Sequence, residues 1–506
     1  MKLRYKALSF LMALLLLLST LTGCTGYVDP LGYLKDATVK TIKNTLVGEL
    51  LALLLDISDK GMISVEFGGT DLVQNLPESA ELTLWLDNDD RKIAADGKMM
   101  LAGEKYDISA YIEETEMAVI SSSFLGSNTL GVDFLSLKDD LKTSIFSNNS
   151  GTVFSDPTVS SASADRIEQI KKSFFKLIAY NEKTLDFADE VLEVFLDELT
   201  SYAANTRYKK DGYTHITLSI NNDSLARALR ATRDRLVKDR SFCKYLNELA
   251  ETLDSMLSAV SGVTSTEYTT KVRHFLTNEE DIDNLCQYID DADAFVFEVK
   301  AAVKSFGMSL SEAALSFTQG GTKRFEGAVS LFEDEITLAV TLDGVARKLT
   351  YHVKEDGFRT YRAELSYQLT SAAACAEVKG ELLANKRENT YTLTLEKGSE
   401  TRVFGGSYDF DDEEMMLSVN TASVNGVDKR ISLKITLTEG EGVPMMPNYV
   451  NVAAIDVARF TPIYERAVKT RDRLLTDWQA LGLSADGALR DLLGAIGLPE
   501  EISANS

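Results

Sequence analysis

The sequence predicts an α+β protein in which a wide, curved antiparallel meander sheet, single or double, is covered or filled by helices. Three observations predict it. From Ser309 to Thr438 apolar residues recur at every second position between tight-turn signals. Segments before, between and after the strand-rich stretches carry apolar residues at three- and four-residue spacing, the mark of amphipathic helices. A sheet with one apolar face must also bury that face against something. Composition agrees: 506 residues at 44% hydrophobic and 26% charged, with 7 prolines and 31 glycines, exclude collagen, a coiled-coil rod and wholesale disorder. A net charge of −24 argues against a nucleic-acid partner, whose phosphates call for a surplus of Lys and Arg.

The chain opens on an export pattern. Lys2, Arg4 and Lys6 precede an apolar run from Ala7 to Leu18 that is short for a bilayer span, so residues 1–23 read as a signal peptide. Leu21-Thr22-Gly23-Cys24 follows and resembles the lipobox of bacterial lipoproteins. The resemblance implies cleavage before Cys24 and a diacylglycerol on its thiol. Loss of the first 23 residues, three of them basic, leaves 483 residues and moves the net charge from −24 to −27. No later segment reaches about 18 consecutive apolar residues, so the expected attachment is an anchor, with residues 24–35 as an acylated tether. The negative body is expected to stand off an anionic surface.

Residues 36–220 read as an N-terminal helix, antiparallel strands and a first long helix. Val39, Ile42, Leu46, Leu50, Leu53, Leu54 and Ile57 predict one helix from Asp36 to Asp59, ended by Gly61. Leu82, Leu84 and Leu86 then alternate with Thr83 and Trp85, and runs at 93–101, 106–112 and 117–122 continue a meander. Asn148 to Ala164 is serine-rich and reads as a linker. Asp165-Arg166-Ile167-Glu168 looks like a helix cap before a stripe from Ile167 to Leu199, and Lys210-Asp211-Gly212 turns a hairpin into Ile216, Leu218 and Ile220. Residues 221–307 form a helical block, with helices expected over 223–260 and, opened by a capping box at Thr277-Asn278-Glu279-Glu280, over 277–306.

Residues 308–440 are the main meander, roughly ten strands by period, with left-handed turns expected at Asp343-Gly344, Asp356-Gly357, Lys397-Gly398 and Asn425-Gly426. Residues 441–506 form a helical tail, capped by Thr461 with Pro462 in the first turn.

Catalytic signatures are sparse. His215, His274 and His352 are isolated and no metal spacing, phosphate loop or nucleophile elbow occurs. Ser173-Phe174-Phe175-Lys176 matches S-x-x-K without the partner motifs of penicillin-binding enzymes. Acidic runs at Asp87–Asp90, Glu333–Glu335 and Asp409–Glu414 offer calcium oxygens or, more simply, charged hairpin tips that block edge pairing. The basic run Arg227, Arg230, Arg233, Arg235, Lys238, Arg240 and Lys244 encircles its helix, which favours salt bridges over a membrane face. Cys243, Cys286 and Cys375 have no zinc or redox spacing; they read as free thiols or at most one bridge, Cys243 with Cys286. No cofactor or metal is called for and the catalytic set is empty, so the chain reads as non-enzymatic.

An exported lipobox chain with an N-terminal helix, a meander and interleaved helices resembles the LolA/LppX-like lipoproteins. The run Gly212 to Leu225 is similar to uncharacterised Gram-positive lipoproteins of that architecture. The resemblance implies a half-barrel with an apolar face partly plugged by helices, carrying lipids or acyl chains, and it assigns no ligand-contacting residue. The expected location is the extracytoplasmic face of a cell membrane, held by acylated Cys24. Two partners stay open: a lipid or other apolar ligand between sheet and helices, or an envelope protein bound by a structural lipoprotein without a cavity. A hydrolase using a carboxylate pair is a third alternative.

Overall fold

The computed structural model describes residues 30–480, apart from 44–45, 72–75, 148–149, 157–158, 180, 307, 332–334, 343–344, 372–374 and 412. Two helices open it, α1 (Pro30–Lys43) and α2 (Leu46–Asp59), where the spacing predicted one. The start at Pro30 takes up half of the expected tether, because Tyr33 and Leu34 are buried in the main core. Gly61 belongs to the first strand. A Cβ there would lie 2.5 Å from the Thr438 carbonyl oxygen and 3.0 Å from Ile57 Cγ1, so the glycine lets α2 pass straight into β1.

The first meander is β1 (Lys60–Thr70), β2 (Ser79–Asp87), β3 (Lys92–Leu101), β4 (Glu104–Ile112), β5 (Glu116–Ile120) and β6 (Thr129–Asp133). Helices α3 (Leu137–Thr143), α4 (Ser161–Ala179) and α5 (Asn181–Tyr202) follow, so the long stripe from Ile167 belongs to two helices and starts before the expected cap. The hairpin β7 (Ala204–Lys210) and β8 (Tyr213–Asn221) turns on Asp211 and Gly212, both at positive φ. Then come α6 (Asn222–Leu236), α7 (Arg240–Ser261), α8 (Glu267–Thr277) and α9 (Glu280–Asp290). Asn221 and Ser224 form a reciprocal capping box for α6, and Asp239 caps α7 by accepting from the Ser241 and Phe242 amides.

The second meander runs through β9 (Phe295–Lys304), β10 (Leu310–Gln319), β11 (Thr322–Leu331), β12 (Glu335–Leu342), β13 (Val345–Asp356), β14 (Thr360–Thr370), β15 (Cys375–Asn385), β16 (Thr390–Lys397), β17 (Glu400–Phe410), β18 (Glu414–Val419), β19 (Thr421–Val424), β20 (Val427–Lys429) and β21 (Ile431–Glu439). The short β22 (Val450–Asn451) and α10 (Val457–Ala480) close the described chain.

Four local expectations are corrected. The helix expected over 277–306 ends at Asp290 and gives way to β9, whose Phe295, Phe297, Val299, Ala301 and Val303 are buried at every second position. Thr277 ends α8, its hydroxyl donating to the Arg273 carbonyl, and caps nothing. Asp356-Gly357 is no left-handed turn: Asp356 is still in β13, and Gly357 is absent from the positive-φ residues. Pro462 lies inside α10, not in its first turn, while Asp456 caps that helix by accepting from the Arg459 amide. Asp343-Gly344 lies outside the described residues.

The strands join into one large, curved, unclosed sheet, the single-sheet alternative of the two left open by the sequence. In space it runs β7 to β17 in sequence order, then β18, β21, β1 to β6 and finally β22, while β19 and β20 form a short branch paired to β17 at residues 402–405. Every pairing is antiparallel except β22 with β6. β17 joins the meanders: residues 400–407 pair with β16, and residues 408–410 pair with β18. Edge strand β7 is exposed along its whole length, and Arg207, Lys209 and Lys210 discourage another strand from adding there.

The register gives the sheet two chemically distinct faces. Ile216, Val299, Leu315, Gly327, Val340, Leu349, Leu365, Leu382, Leu393, Phe404, Leu417, Ile435, Val65 and Leu82 all fall on one face, because directly paired residues share a side. Helices pack on this face at separate places. Leu196 and Leu199 of α5, Leu225 of α6 and Ile289 of α9 bury Ile216, Leu218, Phe297 and Val299. Leu53 and Ile57 of α2 pack on Leu437 and Ile63, and Leu474 and Leu475 of α10 on Leu101 and Tyr106.

Candidate functional site: the uncovered apolar face

Between these helix-packed regions, β12 to β17 contribute no residue to any buried cluster containing helical side chains, among the described residues. Their apolar face is nonetheless continuous. Ile336, Leu338, Val340 and Leu342 of β12 stand opposite Tyr351, Leu349, Arg347 and Val345 of β13. Tyr367 and Leu365 of β14 follow, then Val378, Gly380 and Leu382 of β15, and Leu393 and Leu395 of β16. Leu338 is 46% exposed and Leu349 is 42% exposed, so each keeps about half of its side chain available to another apolar surface. The opposite face of the same strands carries Lys348, Glu364, Gln368, Glu377, Lys379 and Thr392, as a solvated face should.

Small residues shape the apolar side. A Cβ on Gly380 would sit 3.0 Å from Leu395 Cδ2 and 3.3 Å from Leu365 Cβ, so neighbouring leucines lean across the glycine. Polar groups on this face are few. The Tyr351 and Tyr361 hydroxyls bond to each other, and burial pushes the Tyr351 phenol up. Tyr391 donates to the Ser418 carbonyl, 2.9 Å away. Arg402 pairs with Glu400 beside it. Arg347 stands between Val340 and Leu369 and makes no ion pair among the described residues. Its period-two spacing from Leu349 and Tyr351 already places it on their side of β13, and the register adds its neighbours Val340 and Leu369.

The residues singled out from the sequence are dispersed. Cys24 lies outside the described residues. Cys243, Cys286 and Cys375 are free; Cys286 is buried, its thiol donating to the Ala226 carbonyl at 3.3 Å, while Cys375 is exposed. Burial pushes the thiols of Cys243 and Cys286 up, which makes them poor nucleophiles. Ser173 is buried between α4 and α7, its hydroxyl 3.2 Å from that of Ser255, and so is a packing residue. His215 stacks on Tyr208 in β7, His352 faces Glu335 at 3.8 Å, and His274 bonds to Asp281 at 2.9 Å. No group of three or more metal-ligating side chains occurs among the described residues. Asp87 is instead bound to Lys60 at 2.8 Å. Burial raises its carboxyl, and the Lys60 contact and the Asp90 amide more than offset that, leaving it below the usual range.

Arg227, Arg230, Arg233, Arg235 and Lys244 of the basic run make intramolecular bridges. Arg227 meets Asp223 at 3.0 Å, Arg230 meets Asp283 at 3.2 Å and Arg235 meets Asp197 at 3.1 Å. Arg233 is buried and donates to the carbonyls of Phe275 and Asn278, tying α6 to the α8–α9 turn. Asp254 plays the matching role in α7: it accepts from the amides of Tyr268 and Thr269 and from the Ser265 hydroxyl. Burial raises its carboxyl, but these donors outweigh burial and bring it down to about 2.

No family model matches the chain, and no curated protein matches it. Among solved structures, the monoaromatic hydrocarbon channel CymD shows a likeness at 9% identity, over 82% of this chain and 94% of that one, with a TM-score of 0.11. A score that low carries no argument about fold or function. No helix among the described residues is long and apolar enough to cross a membrane.

Proposed function

We propose that this protein is a non-enzymatic, membrane-anchored extracytoplasmic lipoprotein that holds a lipid or another apolar ligand against the uncovered face of its sheet. The observation that carries the reading is the apolar surface across β12 to β17, half-exposed at Ile336, Leu338, Leu342 and Leu349, and flanked by regions where helices bury the same face. Soluble proteins seldom leave a contiguous apolar surface of that breadth without a partner for it. The ligand would complete the layer that helices complete elsewhere. The lipobox resemblance at Leu21–Cys24 supports the anchor, and the lipoprotein half-barrels that the sequence resembles support the apolar cargo.

The test is to express residues 25–506, which retain every described element, purify them without detergent and compare native mass with organic extracts. Lipid in stoichiometric amount supports the carrier. A bare mass, with no uptake of added long-chain fatty acid or phospholipid, refutes it and favours the structural lipoprotein that binds an envelope protein.

A further inference from the structure

The uncovered face is apolar and yet carries an unbalanced cation. Directly paired residues share a side, so the strand register fixes which charged groups of β12 to β17 stand among the leucines. Two carboxylates do, among the described residues, and both are paired: Asp356 with Lys386 and Glu400 with Arg402. Arg347 has neither an ion pair nor a facing carboxylate among the described residues; its cross-strand partners are Val340 and Leu369. Lys397 is three strands away, about 14 Å along the sheet. In a chain with 77 acidic and 53 basic residues, Glu335, Glu364, Glu377 and Glu381 of these strands all lie on the opposite face.

The two ends of the face differ in charge. Arg347 lies toward the end where the sheet turns at 320–321 and 398–399, whereas the acidic tips at Asp89, Asp90, Glu113, Glu114, Asp411 and Glu414 lie at the other end. From Arg347 toward that acidic end, Leu349, Tyr351 and Val353 continue the face along β13 for about 20 Å. The Tyr351 and Tyr361 hydroxyls bond to each other, so these residues offer ring carbon to a neighbour. An acyl chain in one leaflet spans half of a hydrocarbon layer about 30 Å thick, so a single chain fits this length. A guanidinium is always charged, and its planar fork matches a carboxylate through two parallel N–H bonds. One guanidinium balances one negative charge, whereas a phosphate dianion would keep unpaired charge beside Leu349 and Leu369. Repulsion from the net charge of −24 is screened beyond about 8–10 Å at ordinary salt, and a contact with Arg347 acts inside that distance.

We propose that the occupant of the uncovered face is a long-chain carboxylate, its head paired with Arg347 and its chain lying along β13 over Leu349, Tyr351 and Val353. The inference rests on the carrier reading above and names the class of its cargo. It also sets the direction of binding, with the anion held away from the acidic tips that would repel it.

The experiment measures displacement of a neutral, polarity-sensitive dye from residues 25–506 by lauric acid and by lauryl alcohol, equal in chain and different in head. Near pH 8 the acid is ionised, since carboxyls ordinarily titrate around pH 4. The acid should bind about tenfold more tightly than the alcohol. In Arg347→Gln the ratio of the two affinities should fall to about one, and in Arg347→Glu the alcohol should bind the tighter. Arg347 is exposed, so circular dichroism should be unchanged. Lys348→Gln removes a charge from the opposite face of the same strand and should keep the ratio at about ten. Equal affinities in the wild type, or a preference that survives Arg347→Gln, would overturn the proposal and leave the carrier reading standing with a neutral cargo. A preference lost equally in Lys348→Gln would overturn it too, because net charge alone would then explain the ratio. If neither amphiphile binds, the carrier reading fails and the proposal with it.

Discussion

Placing two carboxylates on the uncovered face should abolish ligand binding while leaving the fold intact. Leu338 and Leu349 are direct cross-strand partners on that face, 46% and 42% exposed. Full burial of a leucine side chain is worth about 1.5–3 kcal/mol, so the remaining halves contribute about 2 kcal/mol together when a ligand covers them. That alone is about thirtyfold in affinity. In Leu338→Glu/Leu349→Glu the ligand must also strip water from two charges, a further cost of several kcal/mol. Binding of a fluorescent long-chain fatty acid should therefore weaken by at least about a hundredfold. In the free protein the like charges oppose each other across one strand pair, which costs up to about 1 kcal/mol. Thermal denaturation should consequently change little. Leu218, 1% exposed under the helices, is the contrast: Leu218→Glu should unfold the protein. Unchanged probe affinity in the folded double variant would refute the assignment of the face.

Three other substitutions probe the scaffold. Asp254→Ala removes a carboxylate that accepts from the Tyr268 and Thr269 amides and should cost about 2 kcal/mol near neutral pH, measured by urea denaturation. Its folded value near 2 lies below the ordinary 3.8, so the wild-type advantage should be complete above about pH 4 and shrink as pH falls through 2. Arg233→Met leaves the Phe275 and Asn278 carbonyls without these donors and should cost about 2–4 kcal/mol, with faster amide exchange in α8 and α9. Gly406→Ala would place a Cβ 1.8 Å from the Ser418 carbonyl oxygen, so the β17–β18 junction must shift, at about 1–3 kcal/mol in a melting experiment.

Much of the architecture was legible because local rules agree with the fold. Alternation marked β12 at Ile336–Leu342 and β21 at Ile431–Leu437, and Asp211-Gly212, Lys397-Gly398 and Asn425-Gly426 turn where glycine chemistry requires. The misses have physical causes. In β9, Phe295 to Lys304 follows a convincing helix and was absorbed into it, although Phe297, Val299 and Ala301 alternate with Val296, Glu298 and Lys300. Pro462 suggested a helix start, but packing of Ile463 and Ala467 holds the helix together across it. Least legible was long-range pairing. Nothing local says that Ile63 lies beside Leu437, or that β17 pairs with β16 along one edge and with β18 and β19 along the other. The candidate face was half legible: period told which residues share a side within each strand, Arg347 with Leu349 among them, and only the register told which sides of neighbouring strands join into one face.

The uncovered leucines also bear on why the chain is so acidic. A broad apolar surface invites association between copies, and its surroundings must discourage that without blocking a ligand. The polar face of β13 to β16 alternates Lys348, Glu364, Glu377, Lys379 and Glu381, while the net charge of −24 makes any two copies repel at long range. A neutral amphiphile feels no such repulsion. Raising the ionic strength screens repulsion between copies over about 10 Å at 0.1 M and less above that, while leaving apolar contact intact. If the face is open in solution, ligand-free protein should self-associate as salt is raised, ligand-saturated protein should stay monomeric, and sedimentation velocity distinguishes the two. Monomers at every salt concentration with the face empty would mean that something other than charge already covers it.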